Sequence, residues 1–164
     1  MEDIELLEGP ALLDALRETD LRQVEPEQFA RIIAGASKEQ LEVVVADRAL
    51  REKVLTEIFR RMSAHLRPDR AAGLDAVIRW RLTGGAAPDG FDRFETVIRD
   101  GACTVSRTPV EKPRVTITVS PVDFFTLITH QATPAVMFVT GRIKVKGDLA
   151  FAAGLIGFFD LPKP

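Results

Sequence analysis

Near Asp75 the period of the hydrophobic pattern changes from between three and four to two, and this switch limits the chain to an α+β fold. In "DAVIRWRL" (75–82) Ala76, Ile78, Trp80 and Leu82 fall on one side, with Asp75, Val77, Arg79 and Arg81 on the other. "RVTITVS" (114–120) alternates without a break, Val115, Ile117 and Val119 pointing inward, and "RIKVK" (142–146) alternates again. "FDRFETVIRDGACTVSR" reads as a hairpin turning at Asp100-Gly101, residues suited to the two positive-φ positions of a type I′ turn. A two-residue turn pairs Ile98 with Cys103 and Thr96 with Val105, which puts Phe94, Ile98, Cys103 and Val105 on one face. The pattern predicts about five strands, mostly antiparallel, with helices on one face.

Before the switch the chain reads as helical. "EQFARIIA" (27–34) and "EQLEVVVA" (39–46) repeat one pattern at a spacing of twelve residues, too few copies for a solenoid. Pro26 suits a first helical position, and Ser37 with Gln40 forms a capping box. A longer amphipathic helix is expected from about Asp47 to Leu66. Leu50, Val54, Ile58 and Met62 lie on its apolar face, and Arg51, Glu52, Lys53, Glu57, Arg60 and Arg61 on the other. After the fourth strand, "PVDFFTLITH" (121–130) reads as a helix capped by Ser120.

The last predicted helix starts at Asp148 and has no polar face: Leu149 to Phe159 is eleven residues without a polar side chain. On a wheel of 100° per residue, Leu149, Phe151, Leu155, Ile156, Phe158 and Phe159 fill one half. Ala150, Ala153, Gly154 and Gly157 form a small stripe on the other half. Three readings of that stripe stay open from the pattern: partial exposure to solvent, the lining of an apolar cavity, or a self-association surface.

Composition removes several function classes. With 22 basic and 24 acidic side chains the net charge is −2, which gives no nucleic-acid footprint. One cysteine, Cys103, excludes an internal disulfide, and on the buried face of a strand its thiol is expected to be inert. His65 and His130 are isolated and have no metal-ligand spacing around them. No G-x-S-x-G, Walker A or H-E-x-x-H pattern occurs, so no cofactor and no catalytic activity are expected. The acidic start, without a signal-peptide pattern, and the absence of an apolar run of about 18 residues lead to the expectation of a cytoplasmic protein.

Residues 114–156 resemble the sterol carrier protein 2 family. The resemblance is carried by the alternating strand "RVTITVS", the acidic-Phe pair Asp123-Phe124, and Phe138-Val139-Thr140-Gly141. The basic alternating strand "RIKVKGD", with Gly147-Asp148, and an apolar helix follow in order. "AGLDAVIRWRLTG" extends the likeness, so that it covers roughly residues 50 to 160. The family implies a five-stranded, mostly antiparallel sheet with helices covering one face and an apolar tunnel between the layers. Its members bind or transfer sterols, fatty acids, fatty acyl-CoA or other lipids, and the same fold occurs as an accessory domain in some enzymes.

On that basis residues 1–46 form an extension of short helices packed onto a lipid-binding domain, 47–164, as one globular unit. The expected function is non-catalytic binding or transfer of an apolar small molecule (lipid, acyl chain or sterol). The alternative is an interaction or accessory module with a vestigial cavity. Candidate lining residues are Trp80, Phe94, Ile98, Phe124, Ile128, Phe138, Phe151, Leu155, Phe158 and Phe159, each with a second reading as core. The polar face of the sheet carries Arg79, Arg81, Arg114, Arg142, Lys144 and Lys146, a surface for transient contact with an anionic membrane. A monomer or weak homodimer is expected.

Overall fold

Five strands form one sheet in the order β3-β2-β1-β4-β5. The structure, a computed structural model, describes residues 4–109 and 111–164. The strands are β1 (Ala76–Thr83), β2 (Phe91–Arg99), β3 (Ala102–Ser106), β4 (Val115–Val119) and β5 (Ile143–Gly147). Three of the four pairings are antiparallel, and the central pairing of β1 with β4 is parallel.

The register follows from the sequence pattern. Asp100 and Gly101 both adopt positive φ, 53° and 74°, as a type I′ turn requires. Ile98 pairs with Cys103 and Thr96 with Val105. Trp80 lies between Phe94 on β2 and Ile117 on β4, so the alternating apolar residues make one continuous inner face. Gly147 closes β5 at φ 113°, and a Cβ there would stand 2.5 Å from the Arg114 carbonyl oxygen, so position 147 admits no side chain.

Helices cover the inner face. In chain order they are α1 (Gly9–Glu18), α2 (Pro26–Gly35), α3 (Lys38–Ala46), α4 (Arg48–Ala64), α5 (Pro68–Ala71), α6 (Pro121–Ile128), α7 (Pro134–Val139) and α8 (Leu149–Ala153). The Ser37–Gln40 capping box opens α3, and Ser120 Oγ accepts from the Asp123 amide to open α6. The short helix α7 was not expected, although Thr133 caps it and Pro134 starts it.

Helix α4 is two-sided in a way its sequence does not reveal. Leu50, Val54, Leu55, Ile58, Phe59 and Met62 are buried as expected. The charged side, placed by the sequence only opposite the apolar face, holds the N-terminal helices. Arg51 and Glu57 are buried. Lys53 Nζ donates to the carbonyls of Leu16, Arg17 and Thr19, at 2.7, 2.9 and 2.7 Å, and so satisfies the end of α1. Arg61 reaches the Leu21 and Val24 carbonyls and also donates one bond to Glu57, which takes a bidentate pair from Arg60.

Burial alone would raise the pKa of Glu57, but the hydrogen bonds and charges of Arg60 and Arg61 outweigh it and hold it below the ordinary 4.5. A carboxylate depressed in the folded state stabilises the fold above its unfolded pKa, and that contribution disappears as pH falls through the folded value. Glu57→Gln should therefore lower stability at pH 7 by about 2 kcal/mol. Urea titrations should show the gap to wild type closing as pH drops below about 4. A gap unchanged at acid pH would mean that the loss does not come from the charge of Glu57.

Candidate functional site

The space between sheet and helices, where an apolar tunnel was expected, is filled by aromatic rings. Phe59 of α4 stacks on Phe94 of β2 at 4.2 Å between centroids and on Phe124 of α6 at 5.0 Å. Trp80 of β1 meets Phe59 edge-on at 5.9 Å and Phe124 at 5.2 Å. All four rings are fully buried. The Trp80 indole N–H, the one polar atom among them, donates to Thr96 Oγ1 at 3.1 Å. Offset and edge contacts of this kind favour a fixed packing over an open lumen.

The other lining candidates divide between further sites. Ile98 is buried on β2 beside Cys103. Phe151 stacks on Phe158 at 5.5 Å, Leu155 is buried, and Phe159 forms an isolated bridge with Leu66. Phe138 stands 45% exposed on α7. Ile128 alone of the ten borders the apolar cavity described next.

That pocket, of about 40 Å³ and partly open to solvent, lies between α2, α4 and α6. Ala30 and Ile33 of α2, Ile58 and Met62 of α4 and Ile128 of α6 form its walls, and Leu161 with Pro162 closes it. Two polar side chains border it, and both are committed elsewhere. The Arg61 guanidinium lies over the Phe29 ring, 4.3 Å from its centroid, and is held by Glu57 and two carbonyls. Thr129 Oγ1 donates to the Phe125 carbonyl at 2.7 Å. The pocket therefore presents only apolar surface. Sequence reasoning missed the α2 wall by treating residues 1–46 as an extension, although the apolar spacing of Phe29, Ile32 and Ile33 was visible.

The closing segment is held by backbone bonds. Asp160 N–H donates to the His65 carbonyl at 2.7 Å, and His130 Nε2 donates to the Leu161 carbonyl at 3.0 Å. His65 Nδ1 donates in turn to the Arg61 carbonyl, so both histidines position backbone. Burial pushes the Cys103 thiol up to about 12, which keeps it protonated at neutral pH. Among the described residues no group of three or more His, Cys, Asp or Glu is placed to hold a metal ion.

The C-terminal helix differs from its sequence reading. Helix α8 ends at Ala153, and Leu155–Phe158 continue as a 3₁₀ turn. The small stripe faces outward: Ala150, Ala153, Gly154 and Gly157 are exposed. A Cβ on Gly154 would meet nothing closer than the Phe151 carbonyl oxygen at 4.0 Å, and one on Gly157 only Arg70 Nη1 at 3.8 Å. Of the three readings of that stripe, partial exposure to solvent describes its place in the fold.

Taken together, a five-stranded mixed sheet, a one-sided helical cover and an apolar interlayer set the frame for comparison. The sequence matches the SCP-2 sterol transfer family over residues 55–160. The chain belongs to that family. No curated protein sequence is detectably similar to it. Solved structures agree on the fold. Sterol carrier protein 2 from Yarrowia lipolytica, in its apo form, is 18% identical and superposes at a TM-score of 0.52, covering 66% of this chain and 88% of its own. Palmitated SCP2L2 from Aedes aegypti is 18% identical at a TM-score of 0.50, covering 69% and 96%. The inverting sec-alkylsulfatase Pisa1 from Pseudomonas sp. is 15% identical at a TM-score of 0.57. It matches 92% of this chain, a share that residues 47–164 alone cannot supply, and the match spans 24% of the enzyme.

Because Gly154 has right-handed φ and open space around it, Gly154→Ala should stabilise the fold by about 0.4–1 kcal/mol, read as a higher melting temperature. A loss of more than about 1 kcal/mol would show that a close packing partner occupies that side.

Proposed function

We propose that this family member binds an apolar ligand of the acyl-chain or sterol class, without chemistry, by opening the cavity between α2, α4 and α6. The observation that carries the reading is that this cavity is walled only by apolar side chains while every polar group bordering it is already bonded within the protein. A site of that kind selects by shape and hydrophobicity, and each methylene it buries contributes about 0.8 kcal/mol before ordering costs. The palmitate of the Aedes aegypti structure supports the class of guest this fold accepts.

At about 40 Å³ the pocket is far below the roughly 300–1,000 Å³ of a ligand pocket. Uptake thus needs movement, and the segment that would move is the cover, Leu161–Pro162, which borders the pocket near the end of the chain. Lifting it breaks the His130–Leu161 bond and exposes Ile128 and Met62, from which a chain enters along α4 toward the aromatic cluster. Trp80, Phe94, Phe124, Phe151, Leu155, Phe158 and Phe159 would then form the deeper wall, with Phe59 as the residue that yields.

A second reading, an accessory or interaction module, is favoured by the extent of the overlap with the sec-alkylsulfatase, in which a fold of this shape is one part of a larger chain.

Native mass spectrometry and displacement of a fluorescent fatty acid separate the two. The wild type should take up one chain from a panel of fatty acids, acyl-CoA and sterols. Ala30→Leu, which fills the cavity, should weaken uptake by about tenfold or more while melting is unchanged or rises. Uptake undiminished by Ala30→Leu would move the ligand elsewhere, and no uptake by the wild type would favour the accessory module.

A further inference from the structure

Exposed large apolar side chains are few among the described residues, and most of them gather at one place. Val136, Phe138 and Val139 on α7 and Leu149 at the start of α8 are 54%, 45%, 83% and 53% exposed. Helix α7 packs against both β5 and α8, so the four stand along one edge of the sheet. The helix is fixed rather than frayed: Met137 is fully buried beneath it, and Thr133 Oγ1 accepts from the Val136 amide at 3.2 Å. The fold thus holds an apolar ridge out of the core, at the β5 edge.

Charge at the same edge is unbalanced. Most of the basic sheet face is neutralised or stacked: Arg79 pairs with buried Glu95 at 2.6 Å, Arg142 with Asp123 at 2.7 Å, Arg114 with Asp148 at 3.1 Å, and Arg81 lies over the Phe91 ring. Lys144 and Lys146 project from the outward face of β5, exposed, and make no ion pair or hydrogen bond among the described residues. The nearby carboxylates Asp123 and Asp148 are already paired, so two positive charges remain beside the ridge.

An apolar ridge flanked by uncompensated lysines complements a bilayer with anionic head groups: aliphatic and aromatic tips enter the interface while the ammonium groups stay at phosphate level. A two-fold contact between copies through this patch would set the same lysines against each other, which like-charge repulsion opposes. We propose that the α7–β5 edge docks on an anionic lipid surface, with Val139 and Phe138 entering the head-group boundary and Lys144 and Lys146 meeting lipid phosphates. This rests on observations separate from the cavity.

Sedimentation with vesicles of pure phosphatidylcholine, and of phosphatidylcholine mixed with phosphatidylglycerol, tests it. The full chain should bind the mixed vesicles only, and less as salt rises. At about fivefold per lysine, Lys144→Ala with Lys146→Ala should weaken binding roughly thirtyfold. Val139→Asp, at a site too exposed to disturb folding, should abolish it. Fatty-acid uptake from solution should be unchanged in all these variants, so loss of docking and loss of ligand binding are seen separately. Absence of vesicle binding, equal binding to neutral and mixed vesicles, or variants that bind like wild type would each overturn the proposal. So would a dimer in sedimentation equilibrium that Val139→Asp dissociates, since that assigns the ridge to a second copy.

Discussion

The rest of the molecule depends on the stacking of Phe59 between Phe94 and Phe124. This contact fixes the distance of α4 from the sheet and brings α6 onto the same layer. Once α4 is placed, its opposite side becomes a scaffold in its own right. Lys53 and Arg61 reach backbone carbonyls at helix and turn ends, and each such bond is charge-assisted. One helix therefore joins two layers by two different physical means: dispersion and area burial on the sheet side, and directed hydrogen bonds on the other.

This arrangement explains where the apolar pocket bordered by Ile128 lies. A packed aromatic cluster leaves little room between α4 and the sheet, whereas α2, held through polar bonds at its flanks, meets α4 less tightly. The cavity lies at that joint, between Ala30 of α2 and Ile58 of α4, where residues 55–160 of the family meet the preceding helices. The interior is thus one in which the N-terminal helices help to shape the apolar space.

Much of the fold was legible because strands and caps carry local signals. The Asp100-Gly101 turn set the register of β2 with β3, and unbroken alternation identified β1, β4 and β5 to within a residue or two. Other features depended on what lies beyond a single element. Periodicity separates apolar from polar faces, but it does not tell water from a neighbouring helix, and so the partners of the charged face of α4 were not legible. Cross-strand pairs such as Arg79 with Glu95 follow from register, and the sequence pattern alone left the basic face unneutralised. A wheel drawn through Leu149–Phe159 assumed a continuous helix; the chain leaves the α-helix at Gly154, and the small residues that looked like a lining face solvent. Within the candidate site, Ile128 was identifiable from sequence, whereas the walls supplied by Ala30 and Ile33 needed the tertiary fold.

The environment of Trp80 gives the protein an optical probe of its own interior. It is the one tryptophan in a chain without tyrosine, it is fully buried where α4, α6 and the sheet meet, and its indole N–H is bonded to Thr96. Its emission spectrum therefore reports a single location, free of competing fluorophores. Any event that parts Phe59 or Phe124 from that ring, whether a guest arriving or the layers coming apart, changes the colour and intensity of the light the protein emits.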